Sequence, residues 1–321
     1  MTDQAKPLQG AGALSRAYRS GVRGAASLAR GVLSLPLAGL IGVVRLLPAD
    51  MAVGLAGRLG RLIGMAHPRS RIGMNNLRAS FPEKPESELR SILIGSWDNT
   101  FRTSAEYLYL DELFDRDTAI PEEARVETNG DAYFQQLRDD GKPGIVFTAH
   151  LGNWALLATC AARYGLETTA LYRPPSNPVG AQILRRFVNR SLTQRVVASR
   201  PGAVYELMET LDAGGHVALL VDQKFLNRRH EIVTFFGRPA ASNPLLAQLA
   251  RRYDCPVHGA RAIRLANGRH RLEITGPIKL PRDEQGDVDV PRSTAMIAGI
   301  VEGWIREHPD QWLWLHRRWS L

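Results

Sequence analysis

"GIVFTAHLGNWALLATC", residues 144–160, decides how this chain is built. Gly144 to Ala149 is a short run of apolar and β-branched residues and reads as a buried strand. Residues 153–163 have the spacing of an amphipathic helix, and Gly152 between them supplies a sharp bend. His150 then follows its strand directly. In sheets covered on both faces, ligands collect at the carboxyl ends of the strands, so His150 stands where chemistry is expected.

Outward from this stretch the pattern repeats. "TTALY" (168–172), "RVVAS" (195–199) and "HVALLVD" (216–222) read as strands separated by helices over 178–191 and 203–213. "EIVTFF" (231–236), "VHGARAIRL" (257–265) and "RLEITG" (271–276) read as further strands around a helix at 243–253, and 292–307 as a closing helix. Alternation of this kind predicts an α/β fold, with a central mixed sheet covered by helices. Before it, residues 48–140 read as mainly helical, with the α/β core over 141–321. In "PESELRSILIGSWDNTFRTSAEYLYL" the apolar positions have helical spacing, with the aromatics at 97, 101 and 107 near one buried face. Glu106 on that helix reads as a solvated or surface-paired acid, with a functional role as the alternative.

The first 47 residues form a separate unit. Arginines at 16, 19, 23 and 30 precede an apolar run from Val32 to Val44, which Pro36 interrupts. The run is shorter than the ~20 apolar residues of a spanning helix, and it lies too far from Met1 for an ordinary secretion signal. The expectation is a helical segment lying in the headgroup region, its arginines meeting anionic lipid, with a single membrane pass as the alternative. "GLAGRLGRLIG" (54–64) continues a small-residue helical pattern, suited to close packing as well as to lipid; no strand precedes it, so it is not a dinucleotide fingerprint.

Composition agrees. With 41 basic against 32 acidic residues the chain carries +9, which favours an anionic partner such as a phospholipid headgroup or an acidic carrier protein. The arginines are spread along the chain and form no basic-aromatic module, which argues against nucleic acid. Cys160 and Cys255 both lie in apolar stretches and read as small buried hydrophobes. The histidines lack metal-ligand spacing and no phosphate-binding loop is present, so no metal and no cofactor is expected.

Five stretches carry a resemblance: "HLGNW" (150–154), "LYRPPSNP" (171–178), "LLVDQ" (219–223), "VTFFGRPAA" (233–241) and "HPDQWLWLHRRW" (308–319). In this order they resemble the bacterial lipid A biosynthesis acyltransferases, over roughly residues 30–320. The resemblance implies a glycerolipid-acyltransferase-like fold and location at the cytoplasmic face of the inner membrane. It also implies an acyl-carrier-protein thioester as donor and a hydroxyl of a lipid A precursor as acceptor. Another glycolipid or an aminolipid is the alternative acceptor. The family resembles related acyltransferases in a His-x4-Asp/Glu pair, which makes His150 the general base and position 155 its carboxylate.

Here 155 is Ala, and no acid occurs between 151 and 166. Three readings stay open at this level: an engineered Glu-to-Ala change, a natural variant in which Asp222 supports His150 because it too ends a strand, or a silent lipid-binding homologue. Remaining expectations are oxyanion stabilisation by backbone N–H groups near Gly152 and Asn153, phosphate or carrier contacts by Arg173 and Arg238, and orientation of the acceptor or of His150 by Asp222 and Gln223. Arg317 and Arg318, among Trp312, Trp314 and Trp319, are expected to hold headgroups.

Overall fold

The computed structural model describes residues 39, 42–113, 124–172, 195–223 and 230–319. The chain enters through three helices, α1 (Ala49–Ile63), α2 (Arg69–Ser80) and α3 (Glu86–Glu106), followed by a single turn, α4 (Leu110–Leu113). The glycines of "GLAGRLGRLIG" let α1 lie directly on α3. A Cβ on Gly60 would come 2.6 Å from the Trp97 carbonyl oxygen, and one on Gly64 would come 2.3 Å from the Trp97 ring. The small-residue pattern is therefore a helix-packing face.

The α/β part runs β1 (Val126–Asn129), α5 (Asp131–Asp139), β2 (Gly144–Thr148), α6 (Ala155–Arg163), β3 (Thr168–Tyr172), β4 (Arg195–Ala198), α7 (Ala203–Asp212) and β5 (His216–Leu220). A hairpin of β6 (Glu231–Phe235) and β7 (Arg238–Ser242) follows, then α8 (Leu245–Tyr253), β8 (Val257–Arg264), β9 (His270–Ile274) and α9 (Val290–Glu307). Among the described residues the main sheet has seven strands in the order β1-β9-β8-β2-β5-β3-β4. All neighbours are parallel except the antiparallel pair β8 and β9, so the sheet is mixed, as the sequence implies.

Both faces are covered. Ile145, Phe147, Val217 and Leu219 pack on one side against Leu246, Leu249, Val301 and Ile305 of α8 and α9. On the other side Leu156 and Cys160 of α6 and Leu137 of α5 meet Ala260, Ala262 and Leu272. Burial of these apolar side chains, at roughly 1.5–3 kcal/mol for each large one, is the main force holding the layers together.

Two features depart from the sequence reading. Val126–Asn129 lies within the stretch read as helical, yet it forms the edge strand β1 by pairing with β9. Its "VETN" is four residues long and shows no clear alternation, so its strand character comes from the ladder. Residues 238–242, read as part of a motif only, form β7, and the hairpin turns on Phe236 and Gly237, both at positive φ. The segment 178–191 and most of the first 47 residues lie outside the described residues; among those described, no helix is long and apolar enough to cross a membrane.

Candidate active site

β2 and β5 are adjacent, parallel and in register, with Thr148 opposite Leu220. Two residues beyond each strand end stand His150 and Asp222, so the pairing of the strands brings the two side chains together. His150 Nδ1 lies 2.8 Å from Asp222 Oδ1, and the His150 N–H donates to Oδ2 at 3.0 Å. Trp312 Nε1 donates a third bond, to Oδ2 at 2.9 Å. The Asp222 side chain is fully buried, whereas that of His150 remains 18% exposed. Burial alone would raise the Asp222 carboxyl. The neighbouring His150 and the hydrogen bonds from His150 and Trp312 outweigh it and hold the group down at about 2. With Nδ1–H given to this carboxylate, Nε2 of the ring is the lone-pair nitrogen.

The turn carrying His150 is clamped from three sides. Gly152 sits at φ +56, and a Cβ there would lie 2.2 Å from the Ala262 carbonyl oxygen, so no other residue fits without displacing β8. The C-terminal segment bonds to it twice: Gly152 N–H to the Gln311 carbonyl at 3.1 Å, and Leu313 N–H to the His150 carbonyl at 3.2 Å. From α3, Asn99 Nδ2 and Thr103 Oγ1 both donate to the Gly152 carbonyl.

Behind the turn lies a second buried carboxylate. Glu106 is 1% exposed and accepts from both terminal nitrogens of Arg264 and, at 2.9 Å, from Asn153 Nδ2; His270 Nε2 stands 3.3 Å away. Burial pushes the Glu106 carboxyl up, and the Arg264 charge and bonds overcome this to hold it well below the usual range. Asn153 Oδ1 in turn accepts the Ala155 N–H at 3.2 Å, which fixes the start of α6. The expectation of a surface acid at 106 is corrected: Arg264, 158 residues away, turns it into an interior ion pair.

Below His150 and Asp222 a narrow apolar cavity of about 150 Å³ opens between α6 and the sheet. Thr148 and Leu220 form its sheet wall nearest the pair, Ala218 continues that wall, and Trp154, Ala155 and Ala158 form the helix wall. From Ala155 to Ala161 the helix wall extends about 9 Å. The Trp154 ring meets the His150 ring edge-on, with centroids 4.8 Å apart, and so joins the pair to the slot. Two roomier clefts share Arg264; among the carboxylates that line them, Asp98 is paired with Arg61 and Arg102, Glu106 with Arg264 and Asp50 with Arg125.

The structure thus brings His150, Gly152, Asn153 and Asp222 together, with Ala155 at the slot and Gln223 beside Asp222. The Gly152 backbone N–H, expected to face an oxyanion, is committed to the Gln311 carbonyl, and the Asn153 side chain bonds Glu106 and the Ala155 N–H. Arg238 lies apart, on the hairpin, with its guanidinium 4.9 Å from the Trp319 ring. Arg318 is not a headgroup ligand. It is 1% exposed, bonded to the Ala241 carbonyl and Ser242 Oγ at 2.7 Å each, and burial lowers its guanidinium to about 10. Arg173 lies outside the described residues. Sequence reasoning missed Trp312 as an Asp222 ligand; the dense tryptophans of 312–319 were the available signal.

Fold and site together define an α/β protein whose histidine–carboxylate pair stands over an apolar slot, an arrangement suited to chemistry at the polar end of an aliphatic chain. Residues 27–320 match the family described as bacterial lipid A biosynthesis acyltransferase, and the chain belongs to that family. It is accordingly an acyltransferase, with an acyl donor and a lipid acceptor. No curated protein matches the sequence.

Proposed function

We propose that this chain moves a fatty acyl group from an acyl-carrier-protein thioester to a hydroxyl of a lipid A precursor, with His150 as general base and Asp222 as its orienting acid. As the acceptor oxygen attacks the thioester carbonyl, its proton passes to His150 Nε2, and the Asp222 carboxylate stabilises the imidazolium that results. Collapse of the tetrahedral intermediate breaks the C–S bond, and the proton leaves with the carrier thiol. The observation that carries the reading is the 2.8 Å contact of His150 Nδ1 with a buried carboxylate from a neighbouring strand. Ala155 does not leave the histidine unsupported, so this reading is favoured over that of a silent lipid-binding homologue. The test is an assay of the unmodified chain and of His150→Ala with acyl-carrier thioester and lipid A precursor. Transfer by the first and its loss in the second is the expected result; no transfer by either contradicts the proposal.

The same reading puts the protein on the cytoplasmic face of the inner membrane. Met51, Leu55, Leu59 and Leu62 recur on α1 at three- and four-residue spacing, and all four are exposed, directly after the arginine-rich N-terminal segment. An apolar helix stripe flanked by cations suits an anionic bilayer surface. Replacing Leu55, Leu59 and Leu62 together with Glu is expected to weaken sedimentation with anionic vesicles; undiminished binding contradicts this placement.

A further inference from the structure

The apolar slot beside His150 changes character along its length. Leu157, Ala158 and Ala161 carry its helix wall down one face of α6. Opposite them, Thr148, Leu220 and Tyr172 at the carboxyl ends of β2, β5 and β3 are half-buried, because the slot is open beside them. At the amino end of β3 the lining residues Ala161, Leu166, Thr168 and Phe134 are each no more than 5% exposed, so the slot closes there. The end of α6 builds this floor. Gly165 takes φ +71, its N–H bonds the Ala162 carbonyl at 3.0 Å, and the Leu166 N–H bonds the Ala161 carbonyl at 2.9 Å. This pair of bonds ends a helix by folding the residue after the glycine back onto the last turn, which holds Leu166 against Ala161.

We propose that Ala161 and Leu166 form a stop that limits the length of the acyl chain, so that the protein selects medium-length donors over long ones. The inference rests on the proposed acyl-transfer reading for the identity of the chain in the slot. From Tyr172 down to Thr168 the sheet wall spans β3, about 13 Å at roughly 3.3 Å per residue. An extended alkyl chain advances about 1.25 Å per C–C bond of roughly 1.5 Å, so about ten carbons bring its methyl end to the stop. With the thioester carbonyl and the first carbons beside His150, a lauroyl chain fits and a palmitoyl chain overruns. The overrun must displace buried side chains or hold the carbonyl away from His150. A leucine at 161 raises the stop, and an alanine at 166 lowers it.

The test compares the unmodified chain with Ala161→Leu and Leu166→Ala. Turnover is measured with octanoyl, lauroyl and palmitoyl thioesters of acyl carrier protein, and binding with octyl-, dodecyl- and hexadecyl-pantetheine thioethers, which undergo no transfer. The unmodified chain is expected to favour lauroyl over palmitoyl by about tenfold or more in kcat/KM, the scale of discrimination that a few methylenes support in an apolar pocket. Ala161→Leu is expected to lower the lauroyl-to-octanoyl ratio by about tenfold and leave octanoyl within about twofold, and Leu166→Ala to raise the palmitoyl-to-lauroyl ratio by a similar factor. Thioether binding is expected to shift in the same order. Equal use of lauroyl and palmitoyl by the unmodified chain overturns the proposal, as does an Ala161→Leu protein in which octanoyl and lauroyl fall together. Leu166→Ala decides the matter by itself if Ala161→Leu does not fold, an unchanged palmitoyl-to-lauroyl ratio then counting against the stop. Length-selective binding of the thioethers by a protein that transfers no acyl group would refute the proposed function and leave the stop standing.

Discussion

Asp222 and Glu106 are both buried carboxylates within bonding reach of the same short turn, and they are built for different work. Glu106 faces Arg264, a cation whose charge is permanent, and is closed off from solvent together with Asn99, Thr103 and Asn153. Asp222 faces His150, a group that can gain and lose a proton, and its partner ring is partly open to solvent and meets Trp154, which lines the apolar slot. A buried carboxylate with a fixed partner holds geometry; one with a titratable partner supports proton transfer. The pair in front is thus the chemical element and the pair behind is its brace.

That division can be broken by substitution. The largest effect on stability is expected at Glu106→Ala, which leaves Arg264 buried without its partner and costs about 3–5 kcal/mol in denaturant unfolding. A cost below about 1 kcal/mol would mean that the rear pair is not structural. Next is Gly152→Ala, which meets both positive φ and the Ala262 carbonyl and is expected to cost roughly 2–3 kcal/mol and to lower turnover by displacing His150. Wild-type melting together with wild-type turnover would contradict the clamp.

A smaller effect appears in the pH dependence of folding. The Asp222 carboxyl is held at about 2, below its unfolded value, so its contribution of about 2 kcal/mol is fully present above pH ~4 and is lost as pH falls through about 2. Glu106 titrates in the same direction, so the two must be separated by substitution. The expected outcome is that Asp222→Asn flattens part of the acid-side fall in unfolding free energy and leaves the remainder; an unchanged pH profile would contradict the assignment. Smallest is Trp312→Phe, which removes one of three donors to Asp222 and is expected to cost about 1 kcal/mol, with a modest loss of turnover.

The sequence made the front element legible and left the brace hidden. The strand, bend and helix of residues 144–163 declare themselves through local periodicity and one glycine, and a second apolar strand ending in Asp222 is equally plain. Their meeting requires only that β2 and β5 be neighbours. Glu106 with Arg264, and Asp222 with Trp312, are partners 158 and 90 residues apart. No local pattern distinguishes an acid that will be buried against a distant arginine from one on a solvated helix face. For the same reason Arg318 read as a headgroup ligand although it is interior: charge alone suggested solvent, and the space under β7 that receives it has no local signature. The edge strand β1 was missed because four residues of mixed polarity acquire strand geometry only from β9.

The most direct measurement is a double-mutant cycle on turnover with His150→Ala, Asp222→Asn and the two combined. A base and its orienting acid act as one unit, so each single change is expected to cost on the order of 10³–10⁴-fold, and the pair little more than the larger single loss. Independent, multiplying losses, or an Asp222→Asn protein that turns over as fast as the unmodified chain, would contradict the account.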